Sequence, residues 1–198
     1  MNGFERRRKE KREAILEAAF ELFSTRGVGA VTIADLAKKA GVSQVTIYNY
    51  FGSKDGLARE VFHTVLDRQT AETERLLASN LPFREKAERL LIDKMQLVTD
   101  PNLELFSKAY LEDPDTQRLI DDYYEKTVPA LVGKLIEQGK EAGYINPDIA
   151  TDSFLLYIDL IRRGSLLPEI YPALNVKNLR DIAEIFFYGI LGTGKREQ

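Results

Sequence analysis

No cysteine occurs in this sequence of 198 residues, and histidine occurs only once. A chain without thiols forms no disulfide, and it offers neither a thiolate nucleophile nor a sulfur ligand for a metal. A single histidine also excludes His-rich zinc sites and most histidine-dependent catalysis. We therefore expect a reduced, cytoplasmic protein. The sequence also contains no catalytic constellation of other residue types, so we expect no catalytic residues, no metal site and no cofactor, and a protein that is not an enzyme.

Long apolar runs are missing as well. No stretch approaches the ~18 uncharged apolar residues of a membrane span. The first twelve residues are basic but lead into no apolar segment, so we expect no secretory signal. Hydrophobic residues make up 44% of the chain and charged residues 30%, as in ordinary globular proteins. These features predict a soluble protein of one or two domains with no membrane partner.

Charge is distributed unevenly, although the net charge is only −3. Residues 1–60 contain 11 Lys and Arg against 8 Asp and Glu, a balance of +3, whereas residues 61–198 contain 17 against 23, a balance of −6. The basic excess is sharpest at the start of the chain: Arg6, Arg7, Arg8, Lys9, Lys11 and Arg12. Such an asymmetry is expected where one end of a protein meets a polyanion, and a solvated basic tail is the alternative interpretation.

Apolar residues recur with helical spacing along almost the whole chain, which predicts an all-α fold. The first helix is expected over residues 7–25, with one apolar stripe made of Ile15, Ala18, Ala19, Leu22 and Phe23. The N-termini of the second, third and fourth helices are expected to be capped by hydroxyl residues, which are Thr32, Ser43 and Ser53. The fourth helix is expected over about residues 54–79.

Prolines divide the remainder into further helices. These are predicted near residues 83–99, 102–111, 115–142, 148–165 and 176–192. Pro129 lies inside the longest of them, so that helix is either kinked or divided into two, with Pro129 in the first turn of the second. No strand-like alternation is present.

The last two predicted helices are apolar nearly all round. Their apolar runs cover residues 154–161 and 182–191, with few interruptions. A helix of this kind must be covered on more than one side. In a chain of this size a second copy can provide that cover, so we expect a homodimer formed through these two helices. A central core helix is the alternative.

The segment from Thr32 to Lys54 carries the functional signal. Two short helices joined by a turn at Gly41 have the helix-turn-helix arrangement, in which the second helix enters the major groove of DNA. The outward face of the second helix is rich in short polar side chains, which reach base edges and phosphates without burying an unpaired charge. That face comprises Ser43, Gln44, Thr46, Asn49 and Tyr50.

The string from Ala14 to Phe62 resembles the N-terminal domain of the TetR family of transcriptional regulators. The matching pieces are ILEAAFELFSTRG, TIADLAKKAGVS and IYNYFGSKDGL. The resemblance implies about nine helices, with a DNA-binding domain over residues 9–69 and an effector-binding and dimerisation domain over residues 70–198. It also implies a homodimer that represses from an inverted-repeat operator in double-stranded DNA and is released by a small-molecule effector.

The resemblance assigns roles to individual residues. Gln44, Val45 and Thr46 are expected to read bases, since Gln44 can pair with adenine through two hydrogen bonds and Val45 can contact a thymine methyl group. Asn49 is expected to contact either bases or phosphates. Phosphate contacts are expected from Thr32, Ser43, Tyr48, Tyr50 and Lys54. Tyr48 has core packing as its alternative, and Thr32 a plain capping role. The basic run from Arg6 to Arg12 is expected to follow the DNA backbone.

The effector pocket is placed by the same resemblance among the fifth to eighth helices. Its candidate lining residues are Met95, Phe106, Tyr110, Tyr123, Tyr124, Tyr157 and Arg162, although aromatic residues at helical spacing are more often core residues. Arg162 either recognises an anionic effector or pairs with Asp159. His63 and Asp67 are four residues apart, but the chain has no second histidine to complete a metal site. An α-helical enzyme or carrier and a protein–protein adaptor are the competing function classes.

Overall fold

The computed structural model describes residues 3–99, 113–165, 177–178, 181–182 and 185. These residues contain eight helices and no strand, so the all-α prediction is confirmed, with eight helices in the described part against about nine expected for the chain. No helix in this part is long and apolar enough to cross a membrane. The helices are α1 (Gly3–Arg26), α2 (Ile33–Ala40), α3 (Gln44–Phe51), α4 (Lys54–Ala78), α5 (Phe83–Thr99), α6 (Pro114–Lys126), α7 (Val128–Glu141) and α8 (Thr151–Ser165).

Two of the predicted helices lie wholly or mostly outside the described residues. The one expected over residues 102–111 lies outside the described residues. Of the one expected over residues 176–192, only residues 177, 178, 181, 182 and 185 are described, and all five are helical.

The described residues divide into two compact units, of which the first contains residues 3–69 and 113–120. Its core is built on the apolar stripe of α1, and Phe23 is fully buried in it. Helices α2, α3 and α4 each contribute to this core. The fully buried large residues are Ile15, Phe23, Val31, Leu36, Ile47, Leu57 and Val61. The stripe predicted from the sequence is therefore the one on which the small domain packs.

Capping interactions hold the two eight-residue helices, which are too short to be stable alone. The Thr32 hydroxyl accepts a hydrogen bond from the Asp35 N–H, and the Asp35 carboxylate accepts one from the Thr32 N–H, so α2 begins with a reciprocal capping box. Helix α2 ends at Gly41, whose φ of 66° favours glycine. Ser43 then caps α3 by accepting from the Thr46 N–H.

Pro129 divides the long predicted helix rather than kinking it. Helix α6 ends at Lys126, and α7 begins at Val128 with the proline in its first turn. Proline is tolerated there because the first N–H groups of a helix have no partner within it. This part of the chain belongs to the second unit, which holds residues 70–99 and 121–165. One of its cores is formed by Phe83, Ala87, Ile136, Ile145 and Phe154.

A buried lysine secures the end of α4 within the second unit. Lys86 is only 7% exposed, and its Nζ donates to the carbonyl oxygen of Leu77 at 2.7 Å and to Oε1 of Gln138 at 2.9 Å. Gln138 Nε2 donates to the same carbonyl at 3.0 Å. The last carbonyls of a helix lack partners within the helix and attract positive charge. Lys86 and Gln138 thus connect α5 and α7 to the last turn of α4.

Two glycines of α7 should respond to substitution with opposite signs. A Cβ at Gly139 would lie 2.5 Å from Ile145 Cδ1 and 2.7 Å from Phe83 Cζ, inside a packed core, whereas a Cβ at Gly133 meets nothing within 4 Å. We expect Gly139→Ala to lower the free energy of unfolding by about 1–3 kcal/mol through overpacking. Gly133→Ala should raise it by up to about 1 kcal/mol because alanine favours the helix. Urea unfolding monitored by circular dichroism measures both, and equal effects would contradict the packing at Gly139.

Candidate nucleic-acid interface

Helix α3 presents a polar face to solvent from the rim of the first unit. Ile47 is its only buried residue and points into the core. Val45, which lies on the side opposite Ile47, is 66% exposed, Tyr48 is 50% exposed, and Gln44 and Asn49 are exposed as well. The alternative that Tyr48 belongs to the core therefore does not hold. The exposed side chains of α3 thus include amide and hydroxyl groups able to form hydrogen bonds with a partner.

The capping residues have part of their hydrogen-bonding capacity already in use. Both donors of Thr32 go to the Asp35 carboxylate, the hydroxyl at 2.7 Å and the N–H at 3.1 Å. The Ser43 and Thr46 hydroxyl oxygens lie 2.8 Å apart. Thr32 thus has the capping role that the sequence offered as an alternative, and any phosphate contact by its donors requires Asp35 to release them.

Lys54 is placed differently from the expected free phosphate clamp. Its Nζ donates to the carbonyl oxygens of Val28 at 2.9 Å and Val31 at 3.1 Å. These two residues lie in the segment between α1 and α2, so Lys54 connects the start of α4 to that segment. The sequence contained no sign of this role, because the acceptors are backbone carbonyls more than twenty positions away.

Tyr50 and the basic run of α1 meet at the other end of α3. Tyr50 is half-buried, and its hydroxyl donates to the Arg8 carbonyl at 3.3 Å while the Arg8 guanidinium lies 5.9 Å from the ring centre. Arg12 forms an ion pair with Glu60 and lies 5.6 Å from the ring centre of Phe51. Arg12 is therefore engaged within the protein, and the basic run is not the uniform arm that the sequence suggested.

Among the described candidates for an effector pocket, Arg162 and Tyr124 are in contact within the second unit. The Arg162 side chain pairs with Asp121 at 2.8 Å and with Asp159 at 3.0 Å, and its guanidinium lies 4.8 Å from the ring centre of Tyr124. Burial, with a smaller contribution from Tyr123, raises the pKa of the Tyr124 hydroxyl. The ion pair with Asp159 is the second of the two roles considered for Arg162, and its charge is already compensated by two carboxylates.

The other pocket candidates are less informative. Tyr123 contacts Tyr124 edge-on with ring centres 5.8 Å apart, and Tyr157 is exposed on α8. Phe106, Tyr110 and the side chain of Met95 lie outside the described residues. In the first unit, His63 Nδ1 lies 2.9 Å from the carboxylate of Asp67, and the described residues offer no group of three potential metal ligands.

Comparison with known proteins places this helix-turn-helix unit in a family. The profile described as "Bacterial regulatory proteins, tetR family" matches residues 15–61. The HTH-type transcriptional regulator YhgD of Bacillus subtilis is 30% identical over 186 residues, which cover 89% of this chain and 94% of YhgD. The chain belongs to the TetR family of bacterial transcriptional regulators. Its function is therefore in transcriptional regulation rather than catalysis.

Two further similarities extend over most of the chain. The HTH-type transcriptional repressor KstR2 of Mycobacterium tuberculosis is 25% identical over 155 residues, covering 75% of this TetR-family chain and 76% of KstR2. A protein of Saccharomonospora viridis, solved in complex with choline, has the same fold, with a TM-score of 0.66 at 22% identity. That alignment covers 93% of this chain and 99% of the other.

Acid should weaken the capping box that fixes the start of α2. Hydrogen bonds from the Thr32 hydroxyl and then from the Thr32 N–H hold the pKa of the Asp35 carboxyl below its usual value of 3.8. A carboxyl whose pKa is lowered by folding stabilises the folded state above the unfolded pKa, and this contribution is lost as the pH falls through the folded pKa.

We therefore expect the Asp35→Asn variant to lose less stability than the unaltered chain as the pH falls from neutral to below the usual carboxyl pKa of 3.8, because only the unaltered chain has this carboxylate to protonate. Denaturant unfolding at each pH measures the difference. Parallel pH profiles for the two chains would contradict the assignment.

Proposed function

We propose that this TetR-family regulator is a homodimeric repressor that binds an inverted-repeat operator and leaves it when a small molecule binds. The observation that carries the proposal is the exposed polar face of α3, held on a capped helix-turn-helix by a single buried residue, Ile47. A rigid helix with such a face can enter the major groove. The repressor name of KstR2 and the choline complex of the Saccharomonospora viridis protein support repression and effector binding.

Base reading is assigned to the first turn of α3. Gln44 is exposed and can form two hydrogen bonds with adenine, and the exposed Val45 can contact a thymine methyl group. Thr46 is half-buried and shares a hydrogen bond with Ser43, so it reaches bases only through the hydroxyl capacity that remains. Asn49 lies one turn further along the same exposed face.

Phosphate contacts are assigned to residues around the base-reading turn. Tyr48 extends from the exposed face, and Ser43 stands at the N-terminus of α3, where backbone N–H groups favour an anion. Lys54 keeps one N–H beyond the two that hold the Val28 and Val31 carbonyls. Thr32 and Tyr50 complete the proposed set, each with one hydrogen bond to rearrange.

Dimerisation is assigned to the second domain, which we place at residues 70–198, after a DNA-binding domain over residues 9–69. Leu156 and Leu160 are 61% and 60% exposed and lie one turn apart on α8. Ile185, in the part of the chain predicted to form the last helix, is exposed too. Exposed apolar residues in such a row are typical of an interface. A two-fold dimer could place two copies of α3 about 34–36 Å apart, one turn of DNA.

Release from DNA is assigned to a shift between two dimer states. Helix α4 is continuous from Lys54 to Ala78, so it runs from the first unit into the second. In one state the spacing of the two α3 helices fits the operator, and in the other it does not. An effector that binds the second state more tightly than the first removes the protein from its operator. Its differential affinity, not its tightness, sets the extent of release.

Selection of genomic fragments by the purified chain at about 0.1 M salt tests the proposed function. We expect enrichment of one inverted repeat. Gln44→Ala should relax base preference at one position in each half-site and cost about 1–3 kcal/mol on the preferred sequence, because one two-hydrogen-bond contact is lost. Gln117→Ala, which changes an exposed glutamine of α6, is the matched control and should keep the repeat unchanged.

Two outcomes would count against this function. Retention of no fragment above background by a folded, dimeric chain would overturn DNA binding and favour a helical carrier. Enrichment of the same repeat with the same base preferences by Gln44→Ala would remove Gln44 from base reading, and unchanged binding by Lys54→Ala as well would remove the helix-turn-helix from the interface.

The dimer proposal is tested by placing two charged residues on α8. Leu156→Glu combined with Leu160→Glu should convert the dimer into a monomer, because two carboxylates would be buried without partners in the interface. Leu156→Glu alone has Ile92→Glu as its matched control, since Ile92 is also exposed, at 53%, but lies on α5. Sedimentation equilibrium gives the mass of each chain, and an unchanged dimer in the α8 variant would place the interface elsewhere.

A further inference from the structure

The six cations at the start of α1 are sorted into two sets by their partners. Arg6 lies 3.5 Å from Glu10, and Lys9 lies 3.7 Å from Glu13, each one helical turn along. Arg12 pairs with Glu60 of α4. These three charges are compensated by carboxylates of the same chain.

The second set consists of Arg7, Arg8 and Lys11. Among the described residues no carboxylate lies within salt-bridge distance of these three side chains. Residues 7, 8 and 11 share a helix face with Phe4, at positions i, i+3, i+4 and i+7. The basic face of α1 is thus the one that its own acidic residues leave uncompensated.

This basic face forms one wall of an open cleft against α3. The cleft has a volume of about 290 Å³, and its lining residues are Phe4, Arg7, Arg8, Lys11, Asn49 and Tyr50. Its two walls are connected, because the Tyr50 hydroxyl donates to the Arg8 carbonyl and the Arg8 guanidinium lies over the Tyr50 ring. Arg8 is therefore held against α3, and Arg7 and Lys11 line the same cleft.

We propose that this cleft, which we call the α1–α3 cleft, holds the DNA backbone phosphates that flank the bases facing α3. The inference rests on the proposed function, which it extends by assigning a second contact element. Guanidinium groups bind phosphate oxygens through paired hydrogen bonds, and an ammonium binds them as a point charge. The Asn49 amide supplies a further donor, and the Phe4 and Tyr50 rings form the apolar part of the wall.

The occupant is argued from charge and position together. Three uncompensated cations within two helical turns call for more than one negative charge. Nucleic acid supplies a phosphate at every nucleotide, and the cleft lies beside the helix whose exposed face is proposed to enter the groove. Such contacts position the protein without reading sequence, so they should change the salt dependence of binding and leave the preferred sequence unaltered.

The test compares two double variants of equal charge. Arg7→Gln with Arg8→Gln removes two cations from the cleft, and Arg6→Gln with Lys9→Gln removes two from the paired side of the same helix. Binding of the selected repeat is measured by fluorescence anisotropy as a function of salt, with unfolding curves to confirm that both variants fold. Each phosphate contact contributes about 0.9 to the slope of log K against log salt.

We expect the first variant to lower the magnitude of this slope by about one to two, and the second by well under one. Both variants should retain the base preferences of the unaltered chain. Should the first variant fail to fold, Lys11→Gln against Lys9→Gln makes the same comparison with one charge each.

Equal slopes for the two variants, with the unaltered chain binding its repeat, would overturn the α1–α3 cleft and leave the proposed function standing. A change of base preference in the first variant would overturn the sequence-independent role. Failure of the unaltered chain to bind any DNA would overturn the proposed function itself, and the cleft as a DNA contact with it.

Discussion

The orientation of α3 depends on how this short helix packs on the core. Ile47 is the only fully buried residue of the eight, and it joins a cluster built on Phe23 of α1, against which Tyr50 and Phe51 also pack. A helix of two turns gains too little from its own hydrogen bonds to persist alone. The exposed face of α3 can therefore be rich in polar groups, because the core on its buried side and the Ser43 cap at its N-terminus hold the helix in place.

Polar contacts around that core restrict the remaining freedom of the domain. Lys54 holds the segment before α2 through the Val28 and Val31 carbonyls, and Arg12 connects α1 to Glu60 of α4. An exposed ion pair such as Arg12–Glu60 contributes little stability individually. The effect of these contacts is geometric, because each one links two parts of the chain that pack on the same small core. Such links add little to the free energy of unfolding, but they fix the shape of a surface that must match a rigid partner.

The sequence predicted the helices well and the partners of individual charges poorly. Periodicity located the α1 stripe and the caps at Thr32 and Ser43, because these features depend on residues three or four positions apart. Lys54, Arg12 and Arg162 found partners that are far away in sequence, and no local pattern encodes such a choice. Pro129 left two alternatives open for a related reason, since a proline fits a first turn as well as a kink.

The contacts at the end of α4 have a consequence for how this chain can change over evolutionary time. Gln138 accepts from Lys86 with its oxygen and donates to the Leu77 carbonyl with its nitrogen, while Lys86 donates to that same carbonyl. Replacing the lysine alone by an apolar residue would leave the amide oxygen without its donor in a largely enclosed site, and replacing the glutamine alone would leave the ammonium with one acceptor. A chain in which one of these residues is substituted is therefore more stable when the other is substituted as well. Positions 86 and 138, although 52 residues apart, should covary among related sequences.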